Sequence, residues 1–545
     1  MEKDVTRHRA LRWAASLALF LPVIVLYLCE YLRGDGRSFT GFIQYDQASY
    51  MANARACFQG GFHLFYGNPY SPDPNTPHIY FQIQLLLLGL VQKLTGWDPG
   101  LVYVLFGFVA GLVCIRVAMA LYEDVAGLRT RVDWLGLALF IWGGGILELM
   151  GLGCHLLVPS GKGIYAEALA FDPAGGWWFL NLGRNLVYPT EAYYHALALG
   201  LILVARRGKF RAAIALGILL LLSHPFTGLQ MLLVVTVWAV VESVLLKNRA
   251  VPFLFAATMG YLVFLHLLYY VVLLNMFEEH RVIFAQWSLA WTESAMTALG
   301  ADVLVGLLAF WAIRTRALDR EIFSQPGARL LAVWFLISII LAHHDLFFPP
   351  KQPLHFTHGY SWCALFLLGV GPLRRLLEAI FSWRAPMMRW TALALIFGLA
   401  LSDNVTWLGL QITASVAQRW TGFPGHALTL DSADRELFRW LMKRQQPHYE
   451  LLLNRTSSVP ITYLAMTYTD YRGWASHYAT TPHALERARQ GDDFLEIGKP
   501  VPEWSGKTLL VIVSKSNMPR LATGRLWSEA IYENAEYEVY RIDYR

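Results

Sequence analysis

The sequence predicts a polytopic α-helical membrane protein with a small α/β domain near its carboxyl end. Hydrophobic residues make up 56% of the 545 residues and charged residues only 15%, whereas a soluble domain has roughly 25% charged residues. Apolar runs long enough to cross a bilayer core about 30 Å thick recur along most of the chain. From about Gly422 onward polar residues become more frequent, and no run is long enough to span.

The apolar runs predict eleven transmembrane helices. The first run is too long for the core of a signal peptide and is followed by no small-residue cleavage site, so we expect a retained anchor. The eleven runs cover residues 11–32, 99–122, 133–152, 190–205, 210–224, 226–246, 252–274, 297–313, 328–345, 359–373 and 389–411.

The positions of lysine and arginine predict the orientation. Predicted loops on the side of the amino terminus hold more than twice as many of these residues as the opposite, longer loops. The positive-inside rule therefore places the amino terminus in the cytoplasm and the part beyond the eleventh span outside. The apolar stretch from Ile79 to Leu94 is expected to lie in the outer interface as an amphipathic helix, because counting it as a span would move most arginines outside.

These patterns divide the chain into two domains. Residues 1–421 form a transmembrane core that includes the first outer loop, residues 33–98, and residues 422–545 form the outer α/β domain. Helix Pro482–Arg489 is expected to be capped by Thr480 or Thr481, and residues 462–468 fit either a helix or a strand. The other elements expected in the α/β domain are a helix at 434–444, strands at 449–453 and 508–514, and an edge strand at 536–542.

Composition and spacing exclude several kinds of protein and site. The net charge of +6 is scattered between apolar runs and is not gathered on one soluble face, so no nucleic-acid partner is expected. The five cysteines are widely spaced and form no CxxC pair, which argues against a zinc site and a disulfide framework. His343-His344-Asp345 has the residue types of a metal site, but adjacent helical histidines point about 100° apart. We therefore expect that no cofactor is required. A divalent metal is an alternative that no pattern in the sequence supports.

The predicted outer loops hold most of the residues that could carry chemistry. They are long and aromatic and contain Asp, Glu, His, Asn and Pro, whereas the inner loops are short and basic. The first outer loop contains the segment Tyr45–Tyr50, a helical pattern at 48–59 and a turn-rich stretch from Asn68 to Pro77. Functional residues commonly lie on loops held by a rigid scaffold, so we expect the site here.

The order of these features resembles the GT-C superfamily of membrane glycosyltransferases, which includes protein O-mannosyltransferases and bacterial aminoarabinose transferases. The resemblance covers the first four spans best. Its features are an acidic residue early in a long outer loop, a short helix ending in Gly, an Asn-Pro-Tyr turn at 68–70, the interfacial stretch 79–96 and Phe171-Asp172-Pro173. It implies a sugar donor linked to a lipid phosphate. Where several members have a second, adjacent carboxylate, this chain has Gln47.

Two aspartates are the candidate catalytic residues. Glycosyl transfer needs a carboxylate to accept the proton of the attacking hydroxyl, and we predict this role for Asp46. The alternative is that Asp46 caps the helix that follows it. Asp172 is predicted to assist, and its alternative role is that of a turn-starting Asp-Pro pair.

Cationic residues are the candidates for binding the donor phosphate. They are Arg184, Lys351, His355 and His358, of which the last three lie between the ninth and tenth predicted spans, where a lipid headgroup would lie. For each one alone, interfacial anchoring is the alternative.

The candidate substrate-binding residues come from two loops. They are Tyr45, Tyr50, Asn53 and Glu191, and the alternative for Glu191 is an acid favoured in the first turn of a helix.

The sequence thus predicts a hexosyl- or pentosyltransferase in a bacterial inner membrane. It would move a sugar from a polyprenyl-phosphate donor to an acceptor hydroxyl at the periplasmic face, with the donor and membrane lipids as partners and the acceptor open. A transporter or flippase for a lipid-linked substrate and a non-catalytic subunit of the same fold are the alternatives. The prediction requires Asp46, Asp172 and the segment 351–358 to meet in one pocket.

Overall fold

Contacts divide the chain into two compact units. The helical unit comprises Met1–Leu32, Leu105–Leu268 and Leu289–His426, and the sheet unit comprises Arg33–Val104, Tyr269–Ser288 and Ala427–Arg545. The structure is a computed structural model. It describes residues 2–32, 34, 36–158, 161, 164–173, 180–248, 250–286, 291–315, 325–417, 428–444, 450–454, 461–516 and 529–544.

Six helices of the described residues are long and apolar enough to cross a membrane. A seventh candidate is a helix pair, Arg131–Trp142 and Leu147–Leu157, whose axes differ by 67°. These helices support a multi-pass membrane protein. The six are Ala10–Tyr31, Pro99–Ala126, Pro225–Leu245, Phe253–Met276, Ala295–Arg314 and Pro386–Val416.

The predicted count of eleven spans is not confirmed. The other four predicted runs do form helices, namely Pro189–Arg206, Phe210–Leu221, Pro326–Ala342 and Tyr360–Phe381, but they do not meet the same test of length and hydropathy. At 1.5 Å per residue a helix such as Phe210–Leu221 is about 18 Å long, shorter than a bilayer core. Further short helices of the helical unit are Ile164–Ala168, Leu182–Asn185, His344–Leu346 and Pro353–Phe356.

The third predicted run is bent at residues 143–145. The helix Arg131–Trp142 begins with a capping box, in which Thr130 and Asp133 each accept a hydrogen bond from the other's backbone N–H. At the bend, the N–H of Gly144 donates to the carbonyl of Ala400 and the N–H of Ile146 to the carbonyl of Gly300. The bend therefore satisfies its backbone groups through neighbouring helices, as an apolar environment requires.

The sheet unit contains a five-stranded mixed sheet. Its strands lie in the order Arg472–Gly473, Glu450–Leu453, Lys507–Ser514, Tyr537–Tyr544 and Tyr532–Glu533. The first three are parallel, and the last two pairings are antiparallel. The core beside this sheet includes Trp474, Phe494 and Trp504, all nearly inaccessible. Helices of the unit are Gln47–Ala56, Ile83–Thr95, Glu278–Gln286, Ser432–Arg444, Ile461–Tyr468, Ala484–Ile497 and Pro502–Trp504.

Most elements predicted for the carboxyl-terminal region are present, with two corrections. The predicted cap of the 482–489 helix is wrong: the helix begins at Ala484, and His483 stands at its cap with positive φ. Thr481 instead accepts hydrogen bonds from the N–H groups of Ser476 and His477. The strand Tyr537–Tyr544 is paired on both sides over part of its length and is not a simple edge.

The division into units differs from the predicted domain division. The predicted boundary at 421/422 lies outside the described residues. The first outer loop groups with the carboxyl-terminal region because the strand Ser38–Phe39 pairs with Thr429–Leu430 and Thr467 donates to the carbonyl of Ala48 at 3.0 Å. The amphipathic helix predicted near 79–94 forms at Ile83–Thr95.

We expect Gly100→Ala to destabilise the sheet unit. A Cβ at position 100 would lie 1.4 Å from the carbonyl oxygen of Thr40, a backbone atom that cannot move as a side chain does. Overpacking of this kind costs about 1–3 kcal/mol, and we expect a lower thermal midpoint for the purified protein. Gly409→Ala is the control, since a Cβ there would meet no atom within 4 Å. Equal midpoints for the two variants would contradict the tight packing at Gly100.

Candidate functional site

Asp46 stands at the start of the helix Gln47–Ala56, but its carboxylate does not cap that helix. Within the described part of the chain, the side chain accepts no cap hydrogen bond. Its Oδ1 lies 3.0 Å from Nε2 of His477, and its Oδ2 accepts from Nε2 of Gln44 at 2.9 Å. About a quarter of the side chain (26%) is exposed. The capping alternative is thus not what the side chain does.

The hydrogen bonds around His477 define its tautomer. The backbone N–H of Ala479 points at Nδ1 with a distance of 3.1 Å, so Nδ1 is an acceptor. The ring proton is then on Nε2, which donates to Asp46. Because Thr481 also accepts from the N–H of His477 at 3.0 Å, both the backbone and the ring of this histidine are held in place. The imidazole therefore orients the Asp46 carboxylate.

Aromatic rings surround this pair within the sheet unit. Tyr45 stacks on Tyr463 with ring centroids 4.2 Å apart, and His477 stacks on Tyr478 at 5.0 Å. Burial, with the charge of Asp46, raises the pKa of Tyr45 well above its ordinary value, so the phenol stays neutral. Tyr478 is 45% exposed. Rings of this kind stack on the apolar faces of sugars while their hydroxyls bond to polar groups.

The other predicted substrate residues of this loop lie on the same short helix. Tyr50 stacks on Tyr103 with centroids 6.2 Å apart, and Asn53 is half-buried with its carbonyl accepting from the thiol of Cys57. Of the three residues Tyr45, Tyr50 and Asn53, Tyr45 has a ring contact to His477, with centroids 5.3 Å apart. The substrate-binding roles stay predictions.

The turn-rich stretch from Asn68 to Pro77 is held by two charged side chains of the sheet unit. Glu279 accepts from the side chains of Asn68 and Thr76 at 3.2 and 2.9 Å. Arg472 donates to the carbonyls of Asn68 and Ser71, both at 2.9 Å. Asn68 also donates to the carbonyl of Thr480 at 2.8 Å, so this turn supports the segment that carries His477.

In the helical unit, Arg184 is buried among carboxylates. Its Nη1 donates to Asp172 and its Nη2 to Glu148 Oε1 at 2.5 Å. Its Nε donates to the side chain of Asn404 at 3.3 Å, and its guanidinium lies 5.4 Å from the centre of the Trp407 ring. Burial alone would lower the pKa of Arg184, but the surrounding carboxylates raise it, so the cation is retained.

These contacts bear on two predicted roles. Asp172 and Arg184 neutralise each other, and both side chains are at most 2% exposed. The guanidinium that we expected to bind the donor phosphate is already bonded to protein carboxylates. The catalytic role of Asp172 and the phosphate-binding role of Arg184 stay predictions, and the observed arrangement is that of a buried ion pair.

Glu191 and His358 lie together in the helical unit. Glu191 is in the first turn of the helix Pro189–Arg206, as its alternative predicted, and its Oε2 is 3.1 Å from Nδ1 of His358. The carbonyl of His358 is 2.7 Å from Nε2 of His195. His358 and Gly359 both have positive φ, of 36° and 68°, and a Cβ at Gly359 would lie 2.8 Å from the backbone of Asn181. The turn is therefore closely packed.

The predicted phosphate-binding histidines form an aromatic cluster. The ring of His355 stacks on Phe226 at 4.5 Å and lies 5.5 Å from the ring of His358. His224 is 6.2 Å from His358 and caps the helix that starts at Pro225 by accepting from Thr227. Lys351 is exposed. The structure thus brings His355, His358 and Glu191 together, whereas Arg184 is engaged elsewhere in the same unit.

Glu293 is an acidic residue near this cluster that the sequence did not single out. Its side chain is 5% exposed, and its Oε2 is 3.8 Å from Nε2 of His343. The carbonyl of Trp291 accepts from the N–H of Leu354 at 3.0 Å, which ties this segment to the histidines. Burial, reinforced by the charge of Asp302, raises the pKa of Glu293 to about 8.

The predicted site residues fall in different units. Asp46, Tyr45, Tyr50 and Asn53 belong to the sheet unit, and the other predicted residues belong to the helical unit. A single pocket containing Asp46, Asp172 and the segment 351–358 stays a prediction.

One group of carboxylates among the described residues has the spacing of a cation site. It consists of Asp431, Asp434 and Glu536, whose ligand atoms lie within 4.8 Å of one another. Asp434 already accepts from the hydroxyl of Tyr537 at 2.7 Å and from the N–H of Asp431 at 2.9 Å. Protein donors therefore satisfy the buried carboxylate of this group.

We expect Arg184→Ala to lower the stability of the helical unit strongly. The substitution leaves Glu148 and Asp172 buried without their cation, and breaking a buried ion pair in this way costs about 3–5 kcal/mol. Thermal unfolding of the detergent-purified protein measures the effect. The exposed Arg375→Ala serves as the control and should change stability by less than about 0.5 kcal/mol. An Arg184 variant as stable as the control would show that the ion pair is not needed.

The raised pKa of Glu293 predicts that the free energy of unfolding depends on pH. Its folded-state pKa of about 8 exceeds the ordinary value of about 4.3 for an unfolded chain. Between these values the unfolded state loses the proton while the folded state keeps it, so the free energy of unfolding falls as pH rises from about 4.5 to about 8.

Glu293→Gln removes this contribution, so the variant should gain stability relative to the wild type between pH 5 and pH 8. The free energies of unfolding of the variant and of the wild type are measured at three pH values. Both proteins keep His343, the neighbour of Glu293. The exposed Glu486→Gln is the control. A difference between Glu293→Gln and wild type that does not change with pH would contradict the raised pKa.

Comparisons with known proteins give structural likenesses only. No family model matches the chain, and no curated protein sequence matches it. ArnT from Cupriavidus metallidurans bound to undecaprenyl phosphate aligns with a TM-score of 0.46 and 13% identity over 98% of both chains.

The oligosaccharyltransferase of Archaeoglobus fulgidus tethered with an acceptor peptide aligns with a TM-score of 0.49 and 10% identity, covering 93% of this chain and 69% of that one. The same archaeon's AglB, in complex with an inhibitory peptide and a dolichol-phosphate, aligns at 0.44 with 12% identity over 92% and 69%. ArnT and AglB are GT-C glycosyltransferases, the superfamily that the sequence resembles. At these scores the likeness assigns no activity to this chain.

Proposed function

We propose that the protein is a membrane glycosyltransferase in which Asp46 accepts the proton of an acceptor hydroxyl. The observation that carries the proposal is the Asp46–His477 pair. The carboxylate is held by a donor on each oxygen, at 3.0 Å from His477 and 2.9 Å from Gln44. It remains partly exposed and lies beside aromatic rings. A carboxylate that only capped a helix would need none of these partners.

The proposed chemistry follows from this arrangement. The acceptor hydroxyl approaches Asp46, and its proton moves to a carboxylate oxygen as the hydroxyl oxygen attacks the anomeric carbon. The bond from that carbon to the donor phosphate breaks, and the lipid phosphate leaves with the electron pair. His477 donates to Oδ1 throughout and orients the carboxylate. Tyr45 and Tyr478 supply ring surfaces for the sugar.

The proposed donor is a sugar linked to a polyprenyl phosphate. It belongs to the same class of lipid as the undecaprenyl phosphate bound to ArnT and the dolichol-phosphate in complex with AglB. In the helical unit, Lys351 and His355 are the proposed phosphate ligands, since Lys351 is exposed and His355 is half-buried. Glu191 would position His358 through their 3.1 Å contact. We place the reaction at the periplasmic face of a bacterial inner membrane.

Asp46→Asn should abolish most of the transfer. The amide keeps the shape of the side chain but cannot accept the proton, and loss of a general base lowers the rate about 10²–10⁴-fold. Purified protein is supplied with radiolabelled polyprenyl-phosphate sugars, and release of the lipid phosphate is measured. His477→Gln should lower the rate less, because it removes the orienting group and leaves the base. Asp543→Asn, at an exposed position, is the control.

The outcomes separate the candidate functions. Wild-type turnover that is unchanged in Asp46→Asn would remove Asp46 from the role of base. A folded wild-type protein that turns over no donor, but moves a lipid-linked sugar across vesicles, would favour a flippase. If it neither turns over a donor nor moves one, a non-catalytic subunit is favoured.

A further inference from the structure

A cleft with basic walls lies within the sheet unit, separate from the Asp46–His477 group. Its volume is about 570 Å³. Residues from the helix Ser432–Arg444 form one wall, and Gln92 of the helix Ile83–Thr95 with the following residues 96–99 forms another. The side chains that matter for its chemistry are Arg55, Gln92, Trp97, Arg435, Arg439 and Lys443.

The charges in this cleft are mainly positive. Among the residues that the structure describes, four cationic side chains and the carboxylate of Asp98 line it, and one of the cations, Arg55, is paired with Asp470 at 2.8 Å. Asp98 is 3.9 Å from Arg435, at the limit of an ion pair, and both are about one-third exposed. Arg439 and Lys443 are exposed on successive turns of one helix, four residues apart. Such a concentration of positive charge attracts an anion.

Two buried polar atoms in the lining have their hydrogen-bonding capacity unused. Arg55 donates from Nη2 to Asp470 at 2.8 Å, but its Nε is buried and, among the described residues, has no partner. Oε1 of Gln92 is buried and likewise has no partner in the described part of the chain. Because both atoms are almost inaccessible, they offer no surface to a ligand in the open cleft, which would instead meet the exposed part of the Arg55 side chain.

The helix Ile83–Thr95, which contributes to one wall, has an apolar outer face. Leu87, Leu90, Val91 and Leu94 are between 40% and 77% exposed, and Trp97 just beyond the helix is 49% exposed. The opposite face is buried, with Gly89 packed closely against the carbonyl of Ala54. A helix with one exposed apolar face and one buried face, followed by a tryptophan, is suited to lie in the headgroup region of a bilayer.

We infer that this cleft binds the phosphate headgroup of an anionic membrane phospholipid. The cationic side chains supply the charge, and the exposed leucines and Trp97 border the acyl chains. A soluble phosphate compound would satisfy the charges but would leave the adjoining apolar face uncovered. This inference does not depend on the proposed glycosyl transfer.

Native mass spectrometry of the full-length protein in detergent tests the inference. Phosphatidylglycerol and phosphatidylcholine are added separately, and the apparent affinity of the tightest bound lipid is compared. We expect phosphatidylglycerol to bind more tightly. In Arg435→Glu/Arg439→Glu its affinity should fall at least about tenfold, since each basic residue near an anionic membrane surface contributes about 1 kcal/mol. The matched control is Arg489→Glu, at an exposed position outside the cleft, which should bind as the wild type does.

A second arm distinguishes a lipid from a free phosphate. Glycerol 1-phosphate is added as a competitor, and we expect it not to displace phosphatidylglycerol at equal concentration. Displacement would assign the cleft to soluble phosphates and overturn the lipid assignment. Equal binding of the two lipids, or phosphatidylglycerol binding that is the same in the double variant and in Arg489→Glu, would overturn the proposal as a whole. The Arg435→Lys/Arg439→Lys variant should retain binding, which confirms that loss in the glutamate variant reflects charge.

Discussion

The packing of the helical unit depends on how the buried charge of Arg184 is neutralised. Arg184 is almost inaccessible and lies among apolar helices, where an uncompensated charge would be costly. Glu148 and Asp172 neutralise it, Asn404 accepts from its Nε, and Trp407 covers its face. These partners come from three separate segments, since Asn404 and Trp407 both lie on the helix Pro386–Ala417, so the ion pair restricts how those segments can pack. Removing any one partner leaves another buried group without its counterpart.

The general architecture could be predicted from the sequence because it follows from local patterns. Apolar runs and their periodicity identify helices, and the strand Lys507–Ser514 stands out as a short apolar run bounded by polar residues. The number of transmembrane helices could be predicted less well from the sequence. Hydropathy alone does not show that the third run bends at residues 143–145, because the bend is stabilised by backbone hydrogen bonds to Gly300 and Ala400, far away in the chain.

The candidate site was predictable only in part, for a similar reason. Asp46 could be singled out by its position after the first span and by the features that follow it. Its partner His477 lies 431 positions away, and a lone histidine in a polar region carries no signal by itself. The same holds for Glu148, an acid inside an apolar run, whose partner Arg184 could be recognised only from the packed structure. Long-range pairing needs the fold, which spacing along the chain does not contain.

The turn at His358 places two demands on one residue. Its backbone has a φ of 36°, a conformation that among residues with side chains asparagine, aspartate and histidine adopt most readily. Its ring also faces Glu191. Asparagine at this position would meet the first demand and not the second, whereas a bulky aliphatic residue would meet neither. Random replacements of His358 would therefore fall into two classes: residues that adopt the positive φ but lack the imidazole, and residues that meet neither demand. Comparing the two classes separates the contribution of the backbone conformation from that of the ring.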